Sequence, residues 1–318
     1  MDFADSFKKK LFTIKNESFD SLTLEVFVYQ YNNNVLYKKF CDSLNKNEEN
    51  VKSVREIPFL PIDFFKNHII KTGKWEEKKV FKSSGTTSSA RSKHYIKDVN
   101  FYLKNTINIF EQFFESISEY QIIALLPSYQ EQGDSSLICM VDHFMSVSKF
   151  QGHFALNENI AELLSSEKKK ILFGVSYALW DLAEKNVVAR NTFVIETGGM
   201  KGRKRELIRS ELHSILQKGL SQDKIWSEYG MTELQSQGYG IDGLFQFPTW
   251  TKALIRDIND PFRYVQDGKS GGINIIDLAN IDTCSFIETK DLGRKNGNYF
   301  EVLGRFDNSD IRGCNLMI

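Results

Sequence analysis

The sequence predicts an α/β protein: mostly parallel, layered sheets flanked by helices, with a smaller antiparallel β-rich C-terminal portion. Three observations carry this. Short apolar runs alternate with amphipathic helical stretches from about residue 80. Strand followed by helix, repeated, requires crossovers that cover both faces of a parallel sheet. After Gly243 the texture changes to short strands separated by turns, FQFPTWTKALIRD, GGINIIDL and CSFIETKDLG. Residues 1–55 read as a helical cap, with Phe3, Phe7, Leu11 and Ile14, then Leu24, Phe27, Val28 and Tyr31, at helical intervals. Pro58 and Pro61 mark an extended lead into the body. The stretches KVFKSS, QIIALLP, KKILFGV, NTFVIETGG and KIWSEYG read as strands. Helical patterns fall around 98–117, 134–149, 157–169, 176–186 and 203–218. The expected organisation is a cap (1–55), an α/β nucleotide-binding core (56–243) and a β-rich subdomain (244–318).

Composition narrows the function. In 318 residues, 41% are hydrophobic and 26% charged, enough to bury a large core. Lys plus Arg and Asp plus Glu are 41 each, giving zero net charge. Gripping nucleic acid or an anionic membrane needs a basic surplus, so neither is expected as a partner. The four cysteines are far apart and contain no CxxC pair, which points to reduced thiols rather than zinc or disulfides. The first residues mix acids and bases without an apolar stretch, and no run approaches the ~18 residues of a membrane span. A cytoplasmic protein without a membrane span is expected.

Five segments carry candidate chemistry. In Ser83–His94, six hydroxyl side chains surround Gly85 and precede Arg91, Lys93 and His94. Hydroxyls and backbone N–H groups in such a turn surround phosphate oxygens, and the cations neutralise charge. GxxxxGK[ST] does not occur, so this is not a Walker A loop; a polar surface loop is the alternative. Tyr229-Gly230-Met231-Thr232-Glu233 follows an apolar stretch. Its Gly permits a sharp turn, Thr offers a hydroxyl to phosphate, and Glu offers a carboxylate to a hard cation. Gly198-Gly199 ends a strand and allows close backbone approach to a flat ligand. Asp291, in Thr289–Gly293, can accept both hydroxyls of a ribose, and Arg305, in Gly304–Asp310, can donate to sugar or phosphate. A turn between strands accounts for each segment taken singly. Gly238–Gly243 satisfies GxGxxG, but a strand-like stretch with a proline follows where the dinucleotide fingerprint needs a helix, so the match is read as chance.

Taken in order, SSGTTSSAR, GGMK, YGMTE, TKDLG and GRFDNSD resemble the core motifs of the adenylate-forming superfamily, which includes acyl-CoA synthetases and luciferases. LLPSY, SSLICMVDHFM, ETGGMKG and RGCNLM further resemble LuxE-type acyl-protein synthetases, over about residue 55 to the end. The resemblance implies ATP and Mg²⁺ as cofactors and a carboxylic acid, expected to be a fatty acid, as substrate. It implies that Ser84, Gly85, Thr86, Thr87 and Arg91 handle the β- and γ-phosphates, and that Gly198 and Gly199 line the adenine. Tyr229 would stack on that base beside Gly230, Thr232 would touch phosphate, and Glu233 would organise Mg²⁺. Asp291 would bind the ribose, and Arg305 would open the interdomain hinge. Ser88, Ala90 and Arg91 stand where the superfamily commonly has Gly, Pro and Lys. LuxE-type enzymes pass the acyl group to a cysteine near the C-terminus, which makes Cys314 the expected acceptor, with a partner enzyme or carrier protein beyond it; a buried structural thiol is the alternative. The superfamily's mobile lid has no counterpart after Arg305, so a chain lacking the lid is expected. A non-adenylating acyltransferase that uses a ready-made thioester, and an inactive nucleotide-binding partner subunit, remain alternative functions.

Overall fold

The computed structural model describes residues 3–84, 90–126, 133–155, 160–198, 204–205 and 207–306. Three helices open the chain: α1 (Phe3–Lys10), α2 (Asn16–Asn33) and α3 (Val35–Ser43). Phe19, Thr23, Val26, Phe27, Gln30 and Tyr31 form the buried stripe of α2, spaced by three and four residues as an amphipathic helix requires. Asn34 caps α3 by accepting from the Tyr37 N–H. The stripe packs on the same apolar core as the rest of the chain. Gln30 fastens it by donating to the Asn280 and Ile281 carbonyls and accepting from the Ser285 N–H. Strand β1 (Leu60–Pro61) and the short α4 (Phe64–Asn67) follow at the two prolines.

The body contains β2 (Lys79–Lys82), β3 (Lys93–Ile96), α5 (Val99–Phe110), β4 (Gln121–Leu125), α6 (Ser136–Val147), β5 (His153–Phe154), α7 (Ile160–Ser165), β6 (Lys170–Val175), α8 (Ser176–Glu184), β7 (Thr192–Thr197), α9 (Arg209–Leu220) and β8 (Trp226–Tyr229). Strands β5-β4-β6-β7-β8 are neighbours and mutually parallel. Every residue of β6 is buried, as expected of a strand covered on both faces. All five apolar runs form strands, and the helical patterns between them form helices. KVFKSS nevertheless stays out of the parallel sheet. It pairs antiparallel with β3 in a separate ribbon at whose open end Ser83, Ser84 and Ser92 lie.

From β8 onward the sheet turns antiparallel through β9 (Gly238–Ile241), β10 (Leu244–Gln246), β11 (Thr251–Arg256), β12 (Ser270–Asp277), β13 (Phe286–Asn296) and β14 (Tyr299–Arg305). The full order is β11-β12-β13-β14-β10-β9-β8-β7-β6-β4-β5, with β1 beside β13, so one twelve-stranded mixed sheet joins both halves. The GxGxxG segment is the β9–β10 hairpin. Asp242 and Gly243 sit at its tip with φ of 54° and 81°, the left-handed pair that a tight hairpin turn demands. No helix among the described residues is long and apolar enough to cross a membrane, and Cys41, Cys139 and Cys284 are free thiols.

Candidate functional site

In open α/β sheets ligands bind beyond the carboxyl ends of the strands, where the strand order reverses. The candidate residues follow the carboxyl ends of β7 and β8, beside the change from parallel to antiparallel pairing and two strands away from that reversal, which is at β4. Gly198 follows β7 with φ 74°, a left-handed conformation suited to glycine. Its carbonyl accepts from the Ser176 hydroxyl at 3.1 Å.

The segment from Gly230 to Gln237, between β8 and β9, carries Thr232 and Glu233 and is pinned from several directions. Asp277, fully buried at the end of β12, accepts the Gln235 and Ser236 N–H groups, both at 2.9 Å, and the Ser236 hydroxyl at 2.7 Å. Asn280 donates to the Glu233 carbonyl at 2.9 Å, and Asn105 to the Gln235 carbonyl at 2.8 Å. His94 Nδ1 lies 2.8 Å from the Thr232 carbonyl, which can only accept, so Nδ1 carries the proton and Nε2 accepts from Thr283. Sequence counted His94 among the cations of the hydroxyl-rich segment. That expectation is corrected: burial pushes its pKa down to about 4, and the ring is a neutral strut.

Tyr229 and Asp291 meet although they are 62 residues apart. The Tyr229 hydroxyl donates to Asp291 Oδ2 at 2.7 Å, and Arg305 Nε donates to Oδ1 at 3.2 Å. Phe245, Phe247 and Phe300 surround the Tyr229 ring, with centroids 5.4–6.0 Å away. Burial and the Asp291 carboxylate push the Tyr229 hydroxyl well above its usual range, so it remains a donor. Asp291 is buried, whereas the Arg305 side chain is 78% exposed.

Glu233 is buried. Burial raises its carboxyl despite a hydrogen bond from Ser92. That bond links the Glu233 segment to the ribbon, because the Ser92 N–H donates to Ser83 Oγ at 3.0 Å. Arg91 is anchored beside it by the Ser83 carbonyl and by Asp134 at 3.0 Å. Burial works to lift Asp134, but hydrogen bonds from Lys82 and Arg91 carry it below its ordinary value. Ser84 is exposed at the ribbon's end.

The structure thus brings Tyr229, Asp291 and Arg305 into contact, with Gly230, Thr232 and Glu233 in the next turn and Gly198 on the adjacent strand end. Ser92 connects this group to Arg91. Gly85, Thr86, Thr87, Gly199 and Cys314 lie outside the described residues. Asp277, Asn280 and Asn105 carried no signal in sequence, because an isolated polar residue in an apolar run reads as a strand end or a solvated position.

No group of three or more His, Cys, Asp or Glu side chains among the described residues is arranged to hold a metal ion. Mg²⁺ commonly uses one or two carboxylates with substrate phosphates supplying further oxygens. Glu233, a single hard oxygen donor, fits that mode and not a protein-only cage.

Residues 8–107 match the LuxE acyl-protein synthetase family. The match includes the helical N-terminal segment and the ribbon, and it ends before four of the five motifs. No curated protein matches by sequence. Among solved structures, ATP-bound MatB from Rhodopseudomonas palustris is similar at 15% identity over 71% of this chain and 47% of that one, with a TM-score of 0.55. A 2-hydroxyisobutyryl-CoA ligase in complex with 2-HIB-AMP and CoA is 13% identical over 94% of this chain and 71% of that one, with a TM-score of 0.68. The chain spans about half the length of MatB. The fold is that of these ligases, and the resemblance to LuxE-type acyl-protein synthetases holds over the matched residues.

Proposed function

We propose that this chain activates a carboxylic acid with ATP, giving an acyl-adenylate and pyrophosphate, and then passes the acyl group to a thiol. The observation that carries the proposal is the Tyr229–Asp291–Arg305 contact beside the Thr232–Glu233 turn, where the sheet changes from parallel to antiparallel pairing. In this reading the Tyr229 ring supports the adenine, and Gly198 with Gly199 lets the base approach the backbone. Asp291 accepts the ribose hydroxyls, and Arg305 donates to the same sugar. Thr232 contacts phosphate, with Ser84, Gly85, Thr86, Thr87 and Arg91 around the β- and γ-phosphates.

A carboxylate oxygen of the acid bonds to the α-phosphorus, and the bond to pyrophosphate breaks. The protein's task is to hold two anions in line and offset the spreading charge. Mg²⁺ held by Glu233 and phosphate oxygens would supply charge neutralisation. The neighbourhood that holds a lone Glu233 towards its neutral form favours the carboxylate once a divalent charge is beside it. In the second step a thiolate attacks the acyl carbon, and AMP leaves with the bonding pair. The proposed acid is a fatty acid, and the proposed acceptor is a protein or carrier thiol, with Cys314 the first candidate.

The test is acid-dependent ATP–pyrophosphate exchange with fatty and aromatic acids, with Asp291→Asn and Glu233→Gln as variants. Exchange that appears with one acid class and falls at least tenfold in both variants supports the reading. No exchange with any acid, together with no ATP-induced thermal shift, overturns it. Exchange-free transfer from a ready-made thioester would identify the acyltransferase instead. A thioester on the wild type that disappears in Cys314→Ser would assign the acceptor; full transfer by that variant would remove it.

A further inference from the structure

Glu228 and Tyr229 are consecutive in β8, so their side chains leave opposite faces of the sheet. Tyr229 goes to Asp291, while Glu228 goes to a polar set for which the steps above have no use. Strand register pairs Thr197 with Glu228 and Glu228 with Tyr239, which puts three polar side chains in a row across β7, β8 and β9. Thr197 donates to Glu228 Oε2 at 2.6 Å. The other oxygen, Oε1, lies behind Gly230: a methyl group placed on that glycine would collide with it, and Gln237 Cγ would be 3.3 Å from the same methyl.

Gln237 is 6% exposed and Tyr239 1%, yet neither Gln237 Oε1 nor the Tyr239 hydroxyl has a hydrogen-bond partner among the described residues. The Gln237 amide is oriented by the Gln235 carbonyl, which can only accept and faces Nε2 at 3.5 Å. Asn105, which bonds that same carbonyl from α5, also has an unpartnered Oδ1. Buried polar atoms are satisfied almost everywhere in native proteins, so unpartnered atoms on Tyr239, opposite Glu228 in register, and on Gln237, beside it at Gly230, are a departure with a cause. Glu228 itself keeps partial access to solvent. The acceptors here outnumber the donors. Such a seat repels a carboxylate or phosphate and leaves an alkyl chain facing unpaired oxygens, whereas a hydroxyl or ammonium group satisfies it.

We propose that Glu228, Gln237 and Tyr239 form a specificity seat behind Gly230 for a hydrogen-bond-donating substituent, hydroxyl or ammonium, on the acid that is activated. The substrate is then a hydroxy- or amino-substituted acid and not a plain alkanoic one. This rests on the acid-activation reading and narrows it. Burial, opposed by Thr197 and aided by the Glu196 carboxyl, pushes Glu228 up to about 7. Near neutrality the seat therefore offers both a neutral and a charged acceptor.

The experiment is ATP–pyrophosphate exchange with acids of matched length carrying a hydroxyl, an amino group or neither, on wild type, Glu228→Leu, Glu228→Gln and Gly230→Ala. Thermal shifts with the same acids and ATP are read in parallel. Expected is a kcat/KM for one donor-bearing acid at least tenfold above its plain counterpart, with that ratio falling at least tenfold in Glu228→Leu and Gly230→Ala. Retention of most of the preference in Glu228→Gln identifies a hydroxyl; its loss identifies an ammonium. A wild-type ratio near one, or a ratio that Glu228→Leu leaves in place, overturns the seat while adenylation stands. Absence of exchange with every acid, together with no shift from ATP alone, overturns adenylation. In that case thermal shifts larger for donor-bearing acids in wild type than in Glu228→Leu still support the seat, and equal shifts overturn it.

Discussion

Replacing Glu228 by Gln removes one ionisable group while keeping its volume and an oxygen that can accept from Thr197. Burial is the largest cause lifting this carboxyl from 4.5 to about 7, with the Thr197 hydroxyl opposing it and the Glu196 carboxyl adding to it. The unfolded chain loses the proton near 4.5 and the folded chain near 7. Between those values the folded state binds more protons, so stability falls as pH rises through the window. Below it the group carries no penalty, and above it the penalty is complete. At 1.36 kcal/mol per pKa unit, a shift of this size is worth about 3 kcal/mol. Gln has no proton to lose. The stability of Glu228→Gln relative to wild type is therefore expected to improve by about 3 kcal/mol between roughly pH 4 and pH 8. Glu196, Glu233 and Asp277 are also raised by burial, but they remain in both proteins and largely cancel in the difference. Urea unfolding at a series of pH values measures the quantity. Two stability curves that run parallel, diverging by less than about 1 kcal/mol, would refute the assignment of a high carboxyl pKa to this position.

Three further outcomes are expected. Asp277→Ala leaves the Gln235 and Ser236 N–H groups without their buried acceptor and should cost about 3–5 kcal/mol in urea unfolding; a loss under about 1 kcal/mol would mean that the segment holding Thr232 and Glu233 is anchored elsewhere. Tyr229→Phe removes a hydrogen bond to the buried Asp291 carboxylate, a contact class worth about 1.5–3 kcal/mol, and should raise KM for ATP about tenfold or more in exchange assays. An unchanged KM would separate this pair from nucleotide binding. Gly219→Ala, in α9, sets two effects against each other. Helix propensity favours Ala by about 1 kcal/mol, but the new methyl meets the Ala183 carbonyl oxygen and Cβ of α8. Overpacking against backbone costs about 1–3 kcal/mol, so the thermal midpoint should fall, and a rise would show that the two helices can separate.

Much of the architecture was legible because local patterns and burial agree. β4, β6 and β7 are strands of five or six residues built on the apolar stretches IIAL, ILFGV and FVI, and nearly every residue in them is buried, as in a parallel sheet covered on both faces. The ribbon formed by KVFKSS was not legible as a ribbon. A strand of four residues, one of them buried, has the same local pattern whether it pairs with a neighbour in sequence or joins a distant sheet. The candidate site divides similarly. Tyr229, Thr232, Glu233, Asp291 and Arg305 were found as residue types in an order, whereas their contacts could not be. His94 shows the limit most plainly: between Lys93 and Tyr95 it reads as part of a cationic stretch, and only enclosure by Thr232 and Thr283 makes it neutral.

By itself the sequence determined the strand–helix alternation, the turn-rich β texture after Gly243 and the set of side chains available for phosphate, sugar and cation chemistry. These depend on periodicity, turn conformation and functional groups, all of which are local. Tertiary structure alone decided that Tyr229 and Asp291 touch, that Asp277 holds the Thr232–Glu233 segment, and that Glu228 has as neighbours Gln237 and Tyr239, whose buried polar atoms lack partners among the described residues. Those outcomes depend on which strands become neighbours and how much water each carboxyl keeps. Both are set by long-range pairing and burial, which no short window of sequence encodes.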